Sequence, residues 1–115
     1  MTTGIVISGS RIRWVLIRGI GPSLAQFGVA KALPDLQVTV FSNGLSAPFV
    51  PSIVQSSQPR LSYDRVAQVV GAFPISDTSA DALLVMQLGP GAYAIQCSST
   101  GENSGDVLTE CDLIP

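Results

Sequence analysis

Apolar residues in this chain recur in short alternating runs, and turn residues interrupt them at a spacing of roughly 8–12 residues. A period of two sends successive side chains to opposite faces, which is the pattern of a strand with one buried face. "GIVISG" (4–9) and "IRWVLIRG" (12–19) open the series. In the second run Ile12, Trp14, Leu16 and Arg18 alternate with Arg13, Val15 and Ile17, and both faces turn apolar toward its end. That arrangement predicts a central strand with Trp14 in the core. "LQVTVFS" (36–42) sets Leu36, Val38 and Val40 against Gln37, Thr39 and Phe41, then meets Asn43-Gly44, a strong hairpin signal. The return limb carries Pro48 and Pro51, so it belongs at a sheet edge or is irregular.

Residues 55–65 read as an exposed loop, "VAQVVGAFPI" (66–75) as a strand, and "DTSADA" (77–82) as a turn. "ALLVMQL" (82–88) suits a buried strand, "GPG" (89–91) breaks it, and "AYAIQCS" (92–98) returns with Tyr93, Ile95 and Cys97 on one face. After the polar turn "TGENSG" (100–105), "DVLTECDLI" (106–114) puts Val107, Thr109, Cys111 and Leu113 on one face. The whole predicts an all-β chain forming one domain over residues 1–115, an antiparallel β-sandwich of immunoglobulin-like or jelly-roll type with seven to eight strands. A parallel α/β fold needs crossover helices of about 10–15 residues, and only the segment after Gly21 has room for any helix.

That segment, "VLIRGIGPSLAQFGV" (15–29), has an apolar run followed by Gly-x-Gly, the order of a nucleotide-binding loop. It fails as one. Position 24 is Leu where the third glycine belongs, Pro22 removes an amide where a phosphate would sit, and no Lys-Ser/Thr pair follows. Pro22 fits a first helical position and Gly28 a left-handed stop, so one or two helical turns are expected, with Leu24 and Phe27 both pointing into the core.

Composition narrows the chemistry. Only 12% of residues are charged while 46% are hydrophobic, against about 25% charged in ordinary soluble domains. Apolar surface is therefore expected to be left over for association. Residues 1–57 carry four basic side chains against Asp35 alone, and residues 58–115 carry two against seven acids. Such polarity suits a subunit whose basic face meets a neighbour's acidic face, although scatter over one surface explains it more simply. Six basic residues without a dense cluster give no nucleic-acid footprint. Histidine is absent, which removes Ser-His-Asp and Cys-His catalysis and the commonest transition-metal ligand. No apolar run approaches the roughly 20 residues of a membrane helix, and "MTTGIVISGS" is not a signal peptide.

No catalytic, cofactor or metal site is expected. Read as the two limbs of one hairpin, the last strands offset Cys97 and Cys111 by roughly 10 Å along the strand, too far for a disulfide, so two buried thiols are expected. Asp64, Asp77, Asp81, Glu102, Asp106, Glu110 and Asp112 read as solvated carboxylates without calcium-loop spacing. Tyr63 and Asp64, in a polar loop, are the candidate ligand contacts, with Tyr63 the better stacking surface for a sugar. Gly4, Ile5, Val6, Ile7 and Ser8 are the candidate assembly strand, within a segment 1–9 that can detach or exchange between subunits.

"VLIRGIGPSLAQFGVAKALPD" (15–35) resembles a β-rich repeat module of large secreted and surface proteins of environmental bacteria. "VGAFPIS" (70–76) and "DALLVMQLGPGAYAIQCSSTGENSGDVLTECDL" (81–113) match the same module in order, and residues 43–65 match poorly. The module's middle usually carries an acidic loop. Here that stretch holds Asp64 as its one acid, which speaks against calcium. The resemblance implies an extracellular or cell-surface structural or adhesive module, without enzymatic activity and with no catalytic residue to carry over. The expected role is a non-enzymatic module that self-associates into a surface assembly, filament or shell, its partners copies of itself or neighbouring repeats. The alternative is a glycan- or calcium-binding adhesion module.

Overall fold

The computed structural model describes residues 2–42, 48–53, 66–73 and 81–114. Among them the strands are β1 (Thr2–Ile7), β2 (Arg13–Ile20), β3 (Leu36–Ser42), β4 (Pro48–Ile53), β5 (Ala82–Leu88), β6 (Gly91–Ser99) and β7 (Leu108–Ile114). They form two antiparallel sheets, in the orders β1-β6-β3-β4 and β5-β2-β7.

The alternation in the sequence decides what fills the space between the sheets. Val15 and Ile17 of β2, Leu36, Val38 and Val40 of β3, and Ile95 and Cys97 of β6 meet in one core, joined by Ile7, Leu33, Ala82 and Leu88. Each fully buried aliphatic side chain contributes about 1.5–3 kcal/mol by leaving water. β2 is central, as its two apolar faces require. β4 is an edge strand with register shifts against β3, as Pro48 and Pro51 demand. Asn43-Gly44, which joins these two strands in sequence, lies outside the described residues.

Two expectations about organisation are overturned. Residues 66–70, read as a strand, form a helical turn closed by Gly71 at φ 77°. Ala67, with Val66 and Val70 beside it, packs on Leu16 and Leu83 on the outer face of β5-β2-β7. The apolar residues recur at helical rather than strand spacing, and tertiary packing overrides the β preference of three valines. Second, β6 and β7 are not a hairpin. β6 pairs with β1 and β3 while β7 pairs with β2, so "TGENSG" carries the chain from one sheet to the other.

The segment after β2 is a 3-10 helix, Pro22–Phe27, ended by Gly28 in the left-handed conformation. Leu24 is buried as expected, but Phe27 is not. It lies exposed with its ring edge-on to Phe73, centroids 4.9 Å apart.

Candidate assembly site

The residues that look like a phosphate loop bind an anion that the chain itself supplies. Asp81 is fully buried and is no solvated carboxylate. Its Oδ1 accepts hydrogen bonds from the Gly21 and Ser23 amides at 2.8 and 3.3 Å, and its Oδ2 accepts one from the Ser23 hydroxyl. The Gly-Pro-Ser corner thus locks the start of the 3-10 helix to the start of β5.

Arg18 is likewise consumed internally. It is 1% exposed, and its Nη2 lies 2.7 Å from Glu110 Oε1, which also accepts from Nε at 2.9 Å. Its Nη1 donates to the Phe73 carbonyl at 2.7 Å, and the guanidinium carbon lies 4.5 Å from the centre of the Phe73 ring. One group therefore ties β2, β7 and the segment after residue 70 together. One charge from the basic half and one from the acidic half neutralise each other here, so neither serves an outer face. Asp35 is occupied too, accepting from the Ser99 and Thr100 hydroxyls at 2.9–3.0 Å. Desolvation pushes its carboxyl up, but bonds from Thr100, Asn103, Ser99 and its own backbone outweigh this and hold it below the ordinary value.

One unused surface among the described residues lies at the sheet edges. β1 closes one edge of its sheet and β7 closes an edge of the other. Between them runs a groove of about 330 Å³ lined by Ile5, Val6 and Ile7 of β1 with Ser8 just beyond it, by Cys111 and Leu113 of β7, and by Arg13 of β2. Ile7 is buried in the core and Ile5 packs against it, whereas Val6 on the opposite face is 74% exposed. Leu113 is on the inward-facing side of β7 yet remains 48% exposed, because β1 does not cover it. Gly4 to Ile7 therefore stand in a strand as expected, and Ser8 falls just beyond its end.

Among the described residues β1 pairs in a ladder with β6 alone, and its Ile7 and Ile5 add contacts to the core. Residues 8–12, which lead to β2, are exposed throughout. The other edges differ. β4 carries prolines and register shifts, β7 carries Glu110 and Asp112, and β5 runs beside β4 across the core. β1, "TTGIVI", has neither charge nor proline, the devices that usually guard an edge.

Cys111 faces the groove and Cys97 lies deeper, 3.2 Å from the Thr109 hydroxyl. Neither is in a disulfide, and Cys111 is only partly buried where a buried thiol is expected. The hairpin geometry behind that expectation does not exist, since the two cysteines stand in different sheets. Burial raises both thiols, with the Thr109 bond opposing at Cys97 and the Asp112 charge adding at Cys111. Both stay protonated and unreactive near neutrality.

Tyr63 and Asp64 lie outside the described residues. Trp14, expected in the core, is half-exposed on the outer face of β2. Among the described residues no three His, Cys, Asp or Glu side chains cluster as metal ligands, and no helix is long and apolar enough to cross a membrane. No protein-family model matches the chain, and neither curated proteins nor solved structures give a match.

Proposed function

We propose that this chain is a non-enzymatic structural module of the cell exterior, a β-sandwich that self-associates through β1. The observation that carries the reading is the unguarded β1 edge with Val6 turned to solvent beside the groove over Cys111 and Leu113. An edge strand offers a row of unpaired amides and carbonyls to another chain, and exposed apolar side chains along it add burial to that pairing. Among copies of one chain, the strand that pairs most readily is another β1, or a β1 exchanged onto the neighbour's β6.

The sandwich reading is supported by the shared core between the two sheets. Within it, a jelly-roll type is favoured over an immunoglobulin type. Constant-type immunoglobulin sheets pair consecutive strands repeatedly, whereas among the described strands here β3 and β4 are the one consecutive pair. The resemblance to a repeat module of secreted and surface proteins supports an exterior location and neighbours of the same kind. The calcium-binding reading has less support, since Asp35, Asp81 and Glu110 are satisfied by donors within the chain and no three acidic or thiol side chains cluster among the described residues.

Light scattering and electron microscopy across a concentration series test the proposal. Growth in mass with concentration, leading to filaments or closed shells, is expected. A chain that stays monomeric at the highest concentration contradicts it.

A further inference from the structure

The outer face of β5-β2-β7 carries a second unused surface, remote from the β1 groove in its chemistry. Strand register places Trp14 between Gln87 of β5 and Ile114 of β7, with Asp112 one step along on the same face, where it pairs with Leu16. The helical turn at 66–70 covers Leu16 and Leu83 but leaves Trp14 50% exposed. Gln87 is exposed and Asp112 half-buried, and neither makes a side-chain hydrogen bond to another described residue.

We infer that Trp14, Gln87 and Asp112 form a saccharide-binding platform. A pyranose ring has a flat face of C–H groups and a rim of hydroxyls, so it requires an aromatic plane flanked by a donor–acceptor amide and an acceptor carboxylate. Cross-strand neighbours stand about 5 Å apart and diagonal ones about 7–8 Å. That spacing brings the amide and the carboxylate to the rim of a sugar stacked on the indole. The indole N–H adds a donor at the edge of the same plane. Ile114 across the strand and exposed Ile12 add apolar surface beside the ring, which a second copy would also use, but only a sugar also uses the Gln87 amide and the Asp112 carboxylate. A single ring gives weak affinity for one sugar unit, so a polysaccharide met by many copies is the occupant that benefits, through multivalency.

Trp14 is the single tryptophan of the chain, so its emission reports this site directly. Titrations with cellohexaose, chitohexaose, mannohexaose and laminarihexaose, at millimolar concentrations, are expected to give a saturable emission change with at least one. Retention on the matching insoluble polysaccharide should accompany it. Trp14→Ala should weaken retention by at least about tenfold and Trp14→Phe by less, with Gln87→Ala and Asp112→Ala each lowering affinity. Far-UV circular dichroism checks that the variants remain folded, and Trp14→Phe keeps a ring in place if the alanine variant does not fold. No response to any of the four sugars overturns the inference, as does retention untouched by these variants. An emission change that follows protein concentration without sugar assigns the face to a second copy and also overturns it. Repeating the titration with Val6→Lys separates this outcome from assembly through β1, since sugar binding is expected to survive that substitution.

Discussion

At the scale of single residues, the tightest constraint in the fold is the approach of Gly21 to the Leu33 carbonyl. A Cβ built on Gly21 would stand 2.3 Å from that oxygen, and a backbone atom cannot move aside as the end of a side chain can. Gly21→Ala is therefore expected to cost about 3 kcal/mol in urea unfolding, at the upper end of what overpacking usually does. The Asp35 carboxyl gives a prediction in pH. Its hydrogen bonds hold it below its ordinary value, so the folded chain keeps it charged more readily than the unfolded one. The stabilisation is present above the unfolded value, 3.8, and is lost as pH falls through the lower folded one. Carbon-detected NMR titration should find the Asp35 midpoint below that of a model peptide, and Thr100→Val should move it upward. Two buried charged residues, Arg18 and Asp81, escape a reading of the sequence at this scale. Both look like surface groups because each partner is remote along the chain, with Glu110 and Phe73 tied to the first and Gly21 and Ser23 to the second. The one available signal is the position of Arg18 within an apolar run, where a buried cation needs a partner.

At the scale of elements, the strands with clean alternation are legible from their residues alone. β3 and β6 bury the faces their patterns assign, β2 does so except at Trp14, and the prolines of β4 put it at an edge. Two readings fail for physical reasons. The 66–70 segment is short and valine-rich, so its composition favours a strand, while Val66, Ala67 and Val70 repeat at helical spacing and Gly71 supplies the stop. The β6–β7 link fails because a polar turn states that the chain reverses and not whether its two limbs share a sheet. The Arg18–Glu110–Phe73 contact is what fixes the helical segment's exit against β2 and β7. Removing the guanidinium leaves the Phe73 carbonyl and Glu110 without their donor. Arg18→Ala should lower stability by about 2–3 kcal/mol, below the usual loss for a fully buried pair because Glu110 is 24% exposed. Glu110→Gln, which can still accept from Arg18, should cost about 1 kcal/mol. Equal losses in chemical denaturation would mean that the charge on Glu110, and not the geometry of its acceptor, holds the pair.

At the scale of the whole molecule, a low proportion of charged residues foretells leftover apolar surface without saying where it lies. Among the described residues, folding places part of it at Val6 and Leu113 beside the β1 edge and part at Trp14 on the outer face of β2 with Ile12 just before that strand, while Phe27, Val69 and Leu108 are exposed elsewhere. The candidate assembly strand is readable from residues 4–8. Its groove is not, because Arg13, Cys111 and Leu113 reach it only through the pairing of β2 with β7. The central claim is that β1 joins one copy to the next, and sedimentation velocity of the unaltered chain beside Val6→Lys tests it most directly. Val6 points to solvent, so the substitution should change monomer stability by no more than about 0.5 kcal/mol, while it places a charge on the bare edge. The account predicts concentration-dependent oligomers for the unaltered chain and a monomer for Val6→Lys at the same concentrations. Equal assembly by both, or a monomer in both, would contradict it.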